Sequence, residues 1–123
     1  MLQTPQEIEV WYILPALRRE VSLALSQKGL SQSQIAEILH ITKPAVSQYL
    51  SKKRAAEIVF EPKVMKLIKA TAETVFKNRS YTSYMRELQN ILRYIEKEKI
   101  ICEIHQKHCK ELNDCDVCYA PEV

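Results

Sequence analysis

Residues 31 to 50 read Ser-Gln-Ser-Gln-Ile-Ala-Glu-Ile-Leu-His-Ile-Thr-Lys-Pro-Ala-Val-Ser-Gln-Tyr-Leu. Their apolar side chains fall at the spacing of two short helices joined by a tight turn. Ile35, Ala36 and Leu39 give the first helix one apolar face, and Val46 with Leu50 gives the second its own. Ala36 is small where the two helices must cross closely, and Ile41 packs at the turn. Ser31 followed by Gln34 is a capping box, so the first helix is predicted to start at Ser31. Thr42 caps the second, with Pro44 in its first turn, where a missing N–H costs little. His40 stands where such turns usually place glycine. A left-handed residue is expected there, and histidine tolerates that conformation better than a β-branched residue.

Two amphipathic helices of this kind also suit an ordinary hairpin inside a larger core. Ala36, Ile41, Val46 and Leu50 at these offsets are narrower and define a helix-turn-helix. Thr42, Lys43, Ser47 and Gln48 are then left pointing outward. They are donors and acceptors of the kind that read base edges and phosphates in a major groove. Double-stranded DNA is therefore the expected partner. Ser51-Lys52-Lys53-Arg54 follows directly, and Lys52, Lys53 and Arg54 with Gln34 are expected to hold phosphates without reading sequence. A solvated helix end is the plainer account of that basic run.

The rest of the chain is compatible with helices only. It has 123 residues, a single glycine (Gly29) and few aromatics, so an all-α fold is expected. Thr4-Pro5-Gln6-Glu7 is a strong helix start, with Thr4 and Glu7 as a capping box and Pro5 in the first turn. Pro15 is predicted to kink or end that helix. A second helix then runs to about Lys28 with Leu17, Val21, Ala24 and Leu25 inward and Gly29 as its cap. Arg18 and Arg19 are placed on or near its outer face, available to phosphates or to solvent. Residues 55 to 62 read as a connector ending at Pro62. A helix from about Lys63 to Lys77 follows, with Val64, Leu67, Ile68, Thr71 and Val75 inward.

A long helix is predicted to begin near Ser80 to Ser83 and to continue past residue 100. Leu88, Ile95, Cys102 and Cys109 recur every seven residues, with Met85 and Leu92 at the alternate positions. That spacing suits a coiled-coil seam, although Lys99 and Gln106 interrupt its later part. Dimerisation through residues 84 to 101 is the preferred expectation, because readers of this kind act on paired half-sites. The competing account is a single helix packed on its own domain. The organisation expected is thus a DNA-binding domain over residues 1–79 and a dimerisation helix with a cysteine-rich tail over 80–123.

The net charge is +3, and the basic excess lies entirely in the first 80 residues. That suits a surface approaching phosphates. There is no signal-peptide pattern and no apolar run approaching the roughly 20 residues that span a membrane, so a cytoplasmic protein is expected. No paired carboxylates, glycine-rich phosphate loop or nucleophile with a base is visible, so neither an enzyme nor a small-molecule substrate is expected.

Leu14-Pro15-Ala16-Leu17-Arg18, Gly29-Leu30-Ser31-Gln32 and Ala45-Val46-Ser47-Gln48-Tyr49-Leu50 with Lys53-Arg54 carry a family resemblance. Over residues 7 to 56 the chain resembles archaeal regulators of the XRE type. Domains similar to this one precede a thiamine-phosphate synthase domain in some archaeal fusion proteins. No synthase fits in what remains, so that role is not carried over. Single-domain relatives often end in a cysteine cluster, and this chain does too.

Cys102, Cys109, Cys115 and Cys118 fall as C-x6-C-x5-C-x2-C, with His105 and His108 among them. Cysteines clustered in a cytosolic chain more often bind metal than form disulfides. If residues 102 to 109 stay helical, Cys102 and Cys109 lie about 10.5 Å apart along the axis. Thiolates on one zinc lie no more than about 4 Å apart. A zinc site then requires a helix break, or His105 paired with Cys109 or with Cys102. An iron–sulfur cluster spans more distance and suits four cysteines. It is the favoured cofactor, with structural zinc as the alternative. A cluster could sense redox state or iron; zinc would only staple the tail. The rival to a regulator is a helical protein-interaction module, antitoxin-like or an adaptor, with such a zinc tail.

Overall fold

The computed structural model describes residues 4–51, 58–98 and 100, and these are all-helical with no strand among them. Thr4 opens α1 (Pro5–Ile8) with both bonds of the capping box. Its hydroxyl accepts from the Glu7 N–H at 3.2 Å, and the Glu7 carboxylate accepts from the Thr4 N–H at 3.0 Å. Those bonds from Thr4 hold the Glu7 carboxyl below its ordinary pKa.

Pro15 does not end the helix. A five-residue π-turn, Glu9–Ile13, precedes α2 (Leu14–Gln27), and the Leu14 N–H reaches back five residues to the Glu9 carbonyl. A proline ring clashes with the carbonyl four residues before it in a regular helix. The wider turn carries one more residue and lets the chain pass Pro15 while staying helical. Of the kink or end expected at Pro15, the end does not occur: the chain passes Pro15 through a π-turn. At its far end α2 closes as predicted around glycine. Gly29 has φ +98°, its N–H bonds the Ser26 carbonyl at 3.0 Å, and the Leu30 N–H bonds Leu25 at 3.2 Å. This is a Schellman closure, with Leu30 buried behind it.

Helix α3 (Gln32–Leu39) and helix α4 (Lys43–Leu50) follow, then α5 (Pro62–Asn78) and α6 (Tyr81–Lys97). Helix α2 packs against α3, α4 and α5, and α6 packs against α5 and α3. Leu17, Val21 and Leu25 of α2 are fully buried with Ile35, Val46, Val64, Val75 and Ile95. At about 1.5–3 kcal/mol for each large side chain removed from water, this shared core is the main source of stability. It is continuous from Ile8 to Ile100.

Two expectations change on the C-terminal side. Helix α6 ends at Lys97, with Glu98 as its cap, rather than running past residue 100. The heptad positions Leu88, Leu92 and Ile95 are buried against the chain's own helices, and Met85 is exposed. A strongly amphipathic helix gives the same spacing whichever surface covers it. Here α5 and α3 cover it. Arg19 is a further correction. It is buried rather than outward, donating from one nitrogen to Glu20 at 2.7 Å and to the Ile58 carbonyl at 3.0 Å. Ile58 and Phe60 are buried and Val59 between them is exposed, the alternation of an extended chain. Arg19 therefore ties this connector to α2.

Candidate nucleic-acid interface

Local chemistry shapes the turn between α3 and α4. Ser31 and Gln34 form the predicted capping box: the Gln34 carbonyl oxygen accepts from the Ser31 N–H at 2.8 Å, and Ser31 accepts from the Gln34 N–H. Gln34 is exposed and keeps its side-chain N–H donors for an acceptor such as phosphate. His40 takes the left-handed conformation, φ +54°. The Ile41 N–H then bonds the Ala36 carbonyl at 3.1 Å, which closes α3 before Thr42 starts α4. The Thr42 hydroxyl accepts from the Ala45 N–H at 3.2 Å, and Pro44 sits in the first turn.

Helix α4 is two-faced. Ala45, Val46 and Tyr49 are buried, Leu50 packs at their edge, and Thr42, Lys43, Ser47 and Gln48 are exposed. Lys43 stands at the N-terminal, partly positive end of the helix, so helix and side chain favour the same anion. The exposed set presents donors and acceptors on a helix whose orientation is fixed by its buried face. Lys52, Lys53 and Arg54 lie outside the described residues, as do Cys102, Cys109, Cys115 and Cys118 with His105 and His108. Among the described residues no group of His, Cys, Asp or Glu could hold a metal ion.

The structure adds neighbours that sequence spacing could not supply. Tyr81, at the start of α6, stacks on His40 with ring centroids 4.2 Å apart and planes inclined by 29°. Tyr84, one turn later, is buried with Arg18 near its phenol. Burial pushes its pKa up to about 12, and the nearby Arg18 charge opposes that shift. Phe76 of α5 carries two cations at its ring, the Lys28 ammonium 5.8 Å and the Arg79 guanidinium 4.8 Å from the centroid. The chain around the α5–α6 turn is therefore seated against the motif at His40 and against the end of α2 at Lys28, both contacts joining residues more than 35 positions apart.

Residues 16–60 match the family model described as bacterial regulatory protein, arsR family. The matched span opens in α2, contains all of α3 and α4, and ends at the buried Phe60. The match supports a DNA-binding transcription regulator. What it shares with the XRE-type resemblance is the helix-turn-helix itself. No curated protein and no solved structure gave a match. No helix among the described residues is long and apolar enough to cross a membrane.

Proposed function

We propose that the protein is a sequence-specific transcription regulator that lays α4 in the major groove of duplex DNA. One observation carries this reading: Thr42, Lys43, Ser47 and Gln48 share the exposed face of a helix locked in place by Ala45, Val46 and Tyr49. In this reading Lys43, Ser47 and Gln48 contact bases, while Gln34 and the run Lys52, Lys53 and Arg54 hold phosphates. Titration of fluorescent duplexes against the full chain at several salt concentrations tests it. Binding whose affinity falls steeply with salt, and whose sequence preference changes in Gln48→Ala, supports the reading. Salt-independent or absent binding overturns it in favour of a protein-interaction module.

The reading includes a homodimer. Because the heptad face of α6 is covered within the chain, its support moves to the N-terminal helix. Val10 and Trp11 are adjacent on the π-turn and each is 55% exposed. Large apolar neighbours left in water favour a protein partner, and a second copy satisfies the two-fold symmetry of paired half-sites. Sedimentation of the wild type and of Trp11→Glu checks this: a dimer that Trp11→Glu dissociates is the expected result.

The reading also includes an iron–sulfur cluster held by Cys102, Cys109, Cys115 and Cys118, with zinc as the alternative. Its support is the cysteine spacing. When bound, such a cluster would supply a redox- or iron-dependent change of charge at the end of the chain. A visible absorption spectrum of protein purified without oxygen decides it. Brown absorbance that bleaches in air supports the cluster, and a colourless protein containing zinc overturns it.

A further inference from the structure

Lys28 and Arg79 are exposed cations brought to one aromatic ring from positions 51 residues apart. Lys28 caps α2, three residues before Ser31, which caps α3. Arg79 follows α5. Neither forms an ion pair with a described residue, and the Glu37 carboxylate on α3 pairs with neither. Two like charges held at one ring without a counter-charge among the described residues raise the local potential, and an anion that reaches either of them lowers it. The ring explains how the pair is held: each cation gains from the face of Phe76.

Arg79 is also shaped for such an anion. Its Nε donates to the Phe76 carbonyl at 3.1 Å, which fixes the plane of the guanidinium and leaves its terminal N–H groups without a hydrogen-bond partner among the described residues. A guanidinium fork of that kind matches two oxygens of a phosphate. The backbone at Arg79 is left-handed, φ +47°, where glycine is the residue with no steric cost. Tyr81, two residues on, is stacked against His40, so the turn bearing Arg79 lies along α3 and reaches its cap, two residues before Thr42.

We infer that Lys28 and Arg79 form a second phosphate-binding point on the DNA backbone, flanking α3 and separate from the base-reading face of α4. Arg79 lies outside the span that matches the family model. The inference rests on the DNA-binding reading. It extends the contacted duplex beyond the recognition helix and brings the α5–α6 turn into the interface.

The test uses the full chain with three variants, Lys28→Gln, Arg79→Gln and Arg79→Gly, and measures affinity for one preferred and one unrelated duplex over a range of salt. Each variant is expected to weaken both duplexes by the same factor. Each also lowers the slope of log affinity against log salt by about 0.9, the loss of one phosphate contact. Arg79→Gly is the decisive variant. It relieves the left-handed conformation, so its melting temperature should hold or rise while binding falls, which separates the contact from folding. Unchanged affinity and slope in Arg79→Gln and Arg79→Gly, alongside lost binding in Lys43→Ala, would overturn the second point and leave the DNA reading intact. No DNA binding by the wild type would overturn the reading itself. Equal inhibition of wild type and Arg79→Gly by inorganic phosphate also counts against the site, whereas stronger inhibition of the wild type supports it and identifies free phosphate as a second source of the same anion.

Discussion

Arg19→Met tests whether the connector after α4 is held by a single buried side chain. Arg19 is 7% exposed, and one of its guanidinium nitrogens serves both Glu20 at 2.7 Å and the Ile58 carbonyl at 3.0 Å. Methionine fills similar volume without the charge. The Ile58 carbonyl is then left unpaired, at about 1–3 kcal/mol, and Glu20 loses its partner in a poorly hydrated place. Removing the buried guanidinium, whose Nε has no partner among the described residues, returns part of that cost. The net loss expected is about 2–4 kcal/mol. With a urea slope of about 2 kcal/mol per molar, the midpoint followed by helical circular dichroism should fall by about 1–2 M. Glu20→Gln should cost only about 1 kcal/mol, because Arg19 keeps its bond to Ile58. DNA affinity should fall with Arg19→Met even where the protein is folded, since the connector carries Lys52, Lys53 and Arg54 at its other end. Equal losses below about 0.5 kcal/mol in both variants would refute the reasoning, because that is the behaviour of a solvated surface pair.

Other outcomes follow from the same geometry. Ile95→Ala should destabilise by about 2–5 kcal/mol, with an unfolding midpoint independent of protein concentration. A midpoint that shifts with concentration would return the α6 face to an intermolecular seam. Thr42→Ala should cost about 1 kcal/mol by losing the cap of α4 and should weaken DNA binding, with Thr42→Ser restoring both. The two N-terminal glutamates should respond oppositely to pH. The Glu7 pKa is lowered by its bonds to Thr4, so its stabilisation is present above the unfolded value of 4.5 and is lost as pH falls through the folded one. Glu7→Gln should therefore destabilise at pH 7 and make no difference in acid. The Glu9 pKa is raised by burial and by the charge of Glu96. Its favourable contribution exists below 4.5 and disappears as pH rises through the folded value, so Glu9→Gln should stabilise at pH 7 and lose that advantage in acid. Thermal melts across pH 3–7 check both signs.

Which features were legible in the sequence follows from the range of the forces involved. Capping is a contact across three residues, so Thr4, Ser31 and Thr42 announced three helix starts, and Gly29 and His40 announced two ends. The two-faced character of α4 was equally local, because a residue's face is set by its position along a 3.6-residue repeat. Tertiary structure decided what covers each face. The heptad spacing of Leu88, Leu92 and Ile95 specified an apolar stripe but not its occupant, and packing gave it to α5 and α3. Arg19 is charged and by composition belongs in water. A backbone carbonyl 39 residues away supplies the acceptor that lets it be buried. Pro15 breaks a regular helix, yet a π-turn just before it, with Ile8 and Ile13 buried in the core, keeps the chain helical. The grouping of Lys28, Phe76 and Arg79, and of His40 with Tyr81, has no sequence signal at all. Such contacts exist only once α5 and α6 have folded back across the first half of the chain.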